Sequence, residues 1–166
     1  MIRPLYRLLL AGLTTGVTDG LFAVVLSVFF YGSTVTRLWQ GVASVLLGKS
    51  ALEGGTRTVL TGVLMHFGVA FAWSAVFLMA VLAFPWLRRI IGSRGGILTV
   101  AAVYGPLIWL VMSLLVIPAL VHRPPTITPR WWIQLIGHAV FVGLPIVAWI
   151  GGGLRPPAPA ASQRSA

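Results

Sequence analysis

Long apolar runs occupy most of this sequence, and they restrict its fold more than any other feature. Four of these runs cover residues 8–30, 58–84, 97–121 and 131–150. Each reaches the ~20 residues with which a helix crosses about 30 Å of hydrocarbon. Because a segment inside a bilayer must satisfy its own backbone hydrogen bonds, each run should be helical. The sequence therefore predicts an all-α, integral membrane four-helix bundle, with residues 1–154 as a single transmembrane domain.

The composition agrees with a membrane protein and argues against a soluble one. Hydrophobic residues make up 58% of the chain and charged residues 8%, with a mean hydropathy of +0.96. This leaves too little polar surface to cover a soluble domain. The net charge of +10 lies in segments between the runs, where basic residues orient helices and contact anionic lipid headgroups. We expect membrane lipids as partners and no nucleic acid, since no basic stretch belongs to a recognisable nucleic-acid-binding fold.

The distribution of positive charge predicts the orientation of the helices. Seven basic residues fall on the side of the two termini, and five fall on the other: Arg3, Arg7, Arg88, Arg89, Arg94, Arg155 and Arg164 against Arg37, Lys49, Arg57, Arg123 and Arg130. The side richer in Lys and Arg is normally cytoplasmic. We therefore predict a multi-pass protein of the bacterial cytoplasmic (inner) membrane with both termini in the cytoplasm. The first run resembles a signal peptide but is too long, so we expect it to stay uncleaved.

The connection between the first two runs contains a short amphipathic helix. Apolar residues repeat at helical spacing over residues 35–47, at Val35, Leu38, Trp39, Val42, Val45 and Leu46. A helix of this length is too short to span the bilayer. We predict an interfacial helix on the outer surface, with a re-entrant segment as the alternative. At the other end of the chain, residues 155–166 are rich in Pro, Ala and Ser and are predicted to be a disordered tail.

Asp19 is the residue in these runs that most strongly indicates function. It is one of only two acidic residues, and it lies midway along the first run. A carboxylate at the centre of a bilayer costs about 2.5–3.5 kcal/mol on insertion scales, so it normally faces a partner or a water-filled cavity. Asp19 therefore belongs to a predicted functional site.

Other polar residues are expected at a similar depth in the remaining three runs. His66, Ser113 and His138 each lie seven or eight residues inside the outer end of a run. Asp19 lies about one turn deeper, and Gln134 precedes His138 by one turn on the same helix face. The sequence thus predicts an intramembrane polar cluster made of Asp19, His66, Ser113, Gln134 and His138.

Small residues on the same helix faces predict close helix packing. Gly12, Gly16 and Gly20 recur every four residues on the first helix, a spacing that permits close approach. Gly62 begins a comparable row on the second helix, which continues through His66. We expect these two rows to meet, with Asp19 and His66 pointing into the bundle, where a hydrogen-bonded pair is less costly than an isolated carboxylate.

Three functions are compatible with this cluster. In the first, the polar residues hold the helices in register, as in a binding, accessory or structural membrane protein. In the second, Asp19 and the two histidines His66 and His138 carry protons, ions or a solute in a small transporter or channel. In the third, His66 and His138 ligate haem b. A monomeric bundle is expected, or a homo-oligomer if the chain conducts, because four helices rarely enclose a pathway alone. A membrane-protein partner is a separate alternative.

Signatures of an enzyme or a metal protein are missing from the sequence. Neither a GxSxG nucleophile motif nor the HExxH metal motif occurs, and the chain has no Cys. We therefore expect no catalytic residues, no metal ligands and, outside the haem alternative, no cofactor.

Several segments resemble a family of small, uncharacterised bacterial four-helix integral membrane proteins. The most specific are LLGKSALEGG (46–55), which matches LLGKxAxEGG, and GHAVFVGLPI (137–146), which matches GHxxFVGLPI. GVTDG (16–20), GVLMHFGVAF (62–71), FPWLRR (84–89) and YGPLIWLVMSLLVIP (104–118) add to the likeness, which covers most of the chain. The resemblance implies a bacterial inner-membrane location and an unassigned function.

Overall fold

Six longer helices and one 3-10 helix, Lys49–Glu53, make up the regular structure of residues 2–152, the part of the chain that the computed structural model describes. The six are numbered here. They are α1 (Pro4–Phe30), α2 (Val35–Leu47), α3 (Gly55–Ala83), α4 (Pro85–Ile90), α5 (Arg94–Val121) and α6 (Pro129–Gly151). Within this range α1, α3, α5 and α6 are long and apolar enough to cross a membrane. The all-α class and the four helices of membrane-spanning length are thus confirmed. The predicted disordered tail, 155–166, lies outside the described residues.

The long helices begin two to four residues before the apolar runs that predict them. The short helix α4 was not predicted. Hydropathy marks the hydrocarbon-compatible part of a helix, whereas the backbone hydrogen bonds continue into its polar flanks. At the start of α5, Ser93 caps the helix by accepting from the backbone N–H of Gly96 at 2.9 Å. Thr34 caps α2 in the same way through the N–H of Arg37, at 3.1 Å. The bounds of α2 coincide with the predicted 35–47.

The chain forms wider π-helical turns in three of the long helices, and two of these turns precede a proline. They cover Leu26–Phe30, Met112–Val116 and Ala139–Gly143. Pro118 and Pro145 follow the last two turns. Proline has no backbone N–H, and its ring crowds the carbonyl four residues earlier, so a wider turn relieves the clash. For Pro145 that carbonyl belongs to Phe141, and it accepts a hydrogen bond from the Thr18 hydroxyl at 2.7 Å.

Helix α1 packs against both α3 and α6, and α5 packs against α6 and reaches α3 through Tyr104. Gly12 and Gly16 of α1 lie directly against the rings of Phe71 and Phe67 of α3. The core is apolar at the end of the bundle where α3 passes into α4. Its fully buried residues include Ala11, Phe77, Val81, Ile91, Ile146 and Val147.

Helix α2 packs along α3 and also contacts α1 and the end of α5. Gly62 of α3 makes this possible, because a Cβ at this position would overlap the backbone carbonyl of Trp39. The row that begins at Gly62 therefore packs first against α2, and it meets α1 further along, where Nε2 of His66 lies 2.9 Å from the carbonyl oxygen of Gly16. Two side chains of α2, Gln40 and Ala43, are buried by this contact.

The outer faces of the long helices are apolar, whereas several polar side chains are buried. Leu21 and Leu64 are 60% and 72% exposed, but Thr15, Ser74 and His138 are buried. A soluble monomer rarely exposes a continuous apolar surface of this extent. The pattern agrees with a multi-pass membrane protein whose outer residues face lipid.

Candidate functional site

A cavity of about 240 Å³ lies among α1, α2, α3, α5 and α6. We call it the central cavity. Most of its wall is apolar, but a small group of polar side chains converges on it: Thr15, Asp19, His66, Trp109, Gln134 and His138. A mostly apolar cavity with a few convergent polar groups is the usual form of a small-molecule site.

Aromatic side chains and α2 close the cavity on two sides. Tyr104 of α5 donates a hydrogen bond to the carbonyl oxygen of Trp73 of α3 at 2.8 Å. Its ring also lies 4.8 Å from that of Phe77, between centroids, so Tyr104 connects Trp73 on the cavity wall with Phe77 in the apolar core. On the other side, Trp39 and three aliphatic residues of α2 form a wall: Leu38, Val42 and Val45.

His66 is fixed between α1 and α2. Its Nε2 atom lies 2.9 Å from the carbonyl oxygen of Gly16, and because a carbonyl only accepts, Nε2 carries the proton. The ring also makes edge contacts with Trp39 and Phe67, with centroids 5.2 and 5.8 Å apart. The tautomer of a neutral His66 is therefore set by the backbone of α1.

Asp19 lies beside the other ring nitrogen of His66. The Oδ2 atom of Asp19 is 4.0 Å from Nδ1 of His66, which is longer than a hydrogen bond. A carboxylate and the unprotonated nitrogen of a neutral imidazole are both acceptors. The two atoms can attract each other only if they share a proton or a donor from a third group lies between them.

His138 is oriented by its own helix and presents one free nitrogen. Its Nδ1 donates to the carbonyl oxygen of Gln134 at 2.7 Å, so Nε2 is the nitrogen left for another partner. The imidazole lies against Trp109 of α5, with ring centroids 4.8 Å apart, and is buried. The predicted spacing of Gln134 and His138 thus places both residues on the cavity wall.

Two further polar atoms at the cavity have no hydrogen-bond partner among residues 2–152. They are the hydroxyl of Thr15, whose side chain is 1% exposed, and the indole N–H of Trp109. A buried polar group without a partner is costly. Both atoms are closed off beside the cavity, so their unpaired state is a cost within the described part of the fold.

Ser113 does not line the central cavity. Its hydroxyl accepts a hydrogen bond from the indole N–H of Trp131 at 3.0 Å, which links α5 to α6. The π-helical turn Met112–Val116 instead presents Met112 to the cavity. Of the five residues in the predicted polar cluster, the structure therefore brings four together, namely Asp19, His66, Gln134 and His138.

Sequence reasoning missed several residues of the cavity. Thr15 precedes Asp19 by four residues and so shares its helix face, a signal that was available. Trp39 belongs to the apolar face of the predicted amphipathic helix, but its direction into the bundle depends on how α2 packs. Trp73 and Trp109 carry no local signal, because the rotation of α3 and α5 decides where they point.

The geometry also bears on metal and haem binding. Within the described part of the chain, no group of three His, Asp or Glu residues could hold a metal ion. Both ring nitrogens of His66 face protein groups, so an iron ligated by His66 would have to displace Gly16 or Asp19. Haem binding stays a prediction, and the visible absorption spectrum of the purified protein tests it.

Comparison with family models, with curated proteins and with solved structures finds no match to this chain. A function for this site is therefore inferred from its geometry and chemistry.

Proposed function

We propose that this protein binds a small molecule in the central cavity and acts as a binding or accessory protein of the bacterial inner membrane. The observation that carries the proposal is the convergence of Asp19, His66, Gln134 and His138 on one apolar cavity. Val69 of α3 lines the same cavity and is 38% exposed, so the cavity reaches the outer face of the bundle. A molecule dissolved in the lipid could enter by that route.

The proposed setting follows the charge distribution and the resemblance to bacterial four-helix membrane proteins. Both termini lie in the cytoplasm, and α2 lies on the opposite side at the membrane interface, where it covers the cavity. Basic residues at the helix ends contact anionic headgroups. The protein works as a monomer, unless it conducts ions as a homo-oligomer.

Access to the cavity can be measured with single cysteines, since the natural chain has none. Ala23→Cys places a thiol at a half-buried position on the cavity wall, and Ala11→Cys places one in the core, where Ala11 is 0% exposed. We expect N-ethylmaleimide to modify the cysteine at position 23 at least tenfold faster than that at position 11. Equal protection of the two thiols in folded protein would contradict an accessible cavity.

Proton or ion transport is the second candidate, because Asp19, His66 and His138 line the same cavity. Groups that exchange protons within a membrane commonly belong to transport pathways. Proton flux into protein-containing vesicles should then be lost in Asp19→Asn, which retains hydrogen-bonding capacity without the charge. Glu53→Gln removes a charge from an exposed residue outside the long helices and serves as the control. Unchanged flux in Asp19→Asn would remove the relay hypothesis.

A further inference from the structure

Three tryptophan side chains surround the central cavity, and they come from three different helices. Trp39 belongs to α2, Trp73 to α3 and Trp109 to α5. The faces of indole rings carry negative electrostatic potential, and they attract organic cations more strongly than other aromatic rings do. The wall of the cavity is therefore suited to a cation with an apolar surface.

Asp19 adds a formal negative charge, and no lysine or arginine is among the residues that line the cavity. Nδ1 of His66 is 4.0 Å from Oδ2 of Asp19, and Nε2 of His66 donates its proton to the carbonyl oxygen of Gly16. The structure records no hydrogen bond to the Asp19 carboxylate from residues 2–152. A carboxylate in apolar surroundings is stabilised by a cation at close range.

We propose that the central cavity binds a small hydrophobic organic ammonium ion. This inference rests on the proposed binding function and names its ligand class. The ammonium group lies beside Asp19, and the apolar part of the ligand packs against Trp39, Trp73 and Trp109. About 240 Å³ is smaller than the ~300–1,000 Å³ of sites for drug-sized ligands, so the ligand carries no more than about one ring beside its charged group.

Other ligand classes fit the same residues less well. An anion would be repelled by Asp19, and a neutral apolar molecule would leave the carboxylate without a partner. A metal cation such as Ca²⁺ takes six to eight oxygen ligands, whereas the polar side chains with oxygen on this wall are Thr15, Asp19 and Gln134. An organic cation needs only the carboxylate and the aromatic rings.

Benzyltrimethylammonium and its neutral carbon isostere neopentylbenzene have the same shape and differ in charge. Comparing them separates the contribution of the positive charge to binding from that of the apolar shape. Binding to the purified protein in lipid nanodiscs can be followed by tryptophan fluorescence and by calorimetry. We expect saturable binding of the cation, with an affinity at least tenfold higher than that of the isostere. Asp19→Asn should lower the affinity for the cation at least tenfold and leave that for the isostere unchanged. Glu53→Gln should change neither affinity.

Trp109→Leu provides a second variant in case Asp19→Asn unfolds, because it removes one aromatic face and keeps the charge. This substitution too should lower the affinity for the cation more than the affinity for the isostere. Equal affinities for the two compounds would overturn the ammonium proposal and leave a cavity for apolar molecules. Failure of both compounds to bind to protein in which the cysteine at position 23 is reactive would also overturn it, although the cavity would remain accessible. If that cysteine is unreactive as well, the proposed binding function fails too.

Discussion

At Thr18 a single hydroxyl group connects two helices. Its oxygen lies 2.8 Å from the carbonyl oxygen of Thr14 in its own helix and 2.7 Å from that of Phe141 in α6. The carbonyl of Phe141 needs this donor because Pro145, four residues later, has no N–H to offer. In a membrane, a side-chain hydroxyl from a neighbouring helix commonly satisfies a carbonyl that proline has left free.

Replacing Thr18 with Val should therefore destabilise the contact between α1 and α6. Valine keeps the branched shape but leaves the Phe141 carbonyl unpaired, so we expect a loss of about 1–3 kcal/mol in the free energy of unfolding. The measurement is unfolding in mixed micelles with increasing dodecyl sulfate. Thr18→Ser keeps the hydroxyl and should retain most of the stability. A valine variant as stable as the natural protein would refute this role.

Ser27 makes a comparable link to a charged residue. Its hydroxyl accepts a hydrogen bond from Arg130 at 2.6 Å, while the guanidinium carbon of Arg130 lies 4.8 Å from the centre of the Tyr31 ring. Ser27 is buried at the end of α1. The bond therefore attaches the start of α6 to the end of α1.

Removing this hydroxyl with Ser27→Ala should lower the free energy of unfolding by about 1.5–3 kcal/mol, the range for hydrogen bonds to charged groups. Ser50→Ala is the matched control, because Ser50 is exposed and its hydroxyl donates to the nearby carbonyl of Leu47. Its effect should stay within about 0.5 kcal/mol. Equal effects of the two substitutions in the same unfolding assay would argue against a bond between α1 and α6 at Arg130.

At the scale of elements, α2 depends on one close backbone contact. The carbonyl of Trp39 lies where a side chain at position 62 of α3 would begin. This contact brings the apolar face of α2 against the bundle and places Trp39, Val42 and Val45 on the cavity wall. The amphipathic helix is thus part of the site and not only a connection between two long helices.

Gly62→Ala should push α2 away from α3. We expect the overpacked backbone contact to lower the free energy of unfolding by about 1–3 kcal/mol. Benzyltrimethylammonium should also bind more weakly in the fluorescence titration, because the cavity loses its α2 wall. Gly68→Ala lies in the same helix, where an added Cβ would meet no atom within 4 Å. It should stabilise the helix by up to about 1 kcal/mol, since alanine has the higher helix propensity. Equal stability of the two variants would show that α2 does not need this approach.

At the scale of the whole molecule, the distribution of basic residues predicts one orientation. The margin is seven basic residues against five. The compact group Arg88, Arg89 and Arg94 strengthens the prediction, because it flanks the connection between α3 and α5. This orientation puts α2 and the connection between α5 and α6 outside.

Reporter fusions test the orientation directly. Fusions at Arg94 and at the C-terminus should report the cytoplasm, with fluorescence from green fluorescent protein and no alkaline phosphatase activity. A fusion at Ser50, on the other side of α1, should give the opposite result and serves as the control. A periplasmic signal at Arg94 or at the C-terminus would disprove the proposed topology.

The sequence by itself determined the four long helices and the apolar exterior. Hydropathy over about 20 residues and helical periodicity over about residues 35–47 are local properties, which do not depend on how the helices are arranged. For that reason the four long helices were predicted, and α2 (Val35–Leu47) lies where the amphipathic pattern indicated a helix. The short helix α4 was missed because its signal, Pro85 at the start of only six helical residues, is weak within a charged connection.

Only the tertiary structure decided which side chains share the central cavity. Depth along a helix can be counted from the sequence, but the direction of a side chain depends on the rotation of its helix, which packing sets. Ser113 has the predicted depth, yet it faces Trp131, while Trp109 faces the cavity without any local signal. The π-helical turns before Pro118 and Pro145 add to this, because each changes the helical register. The cavity is lined by residues of five helices that are distant in sequence. Their proximity depends on how the helices pack, so it cannot be predicted from any local sequence pattern.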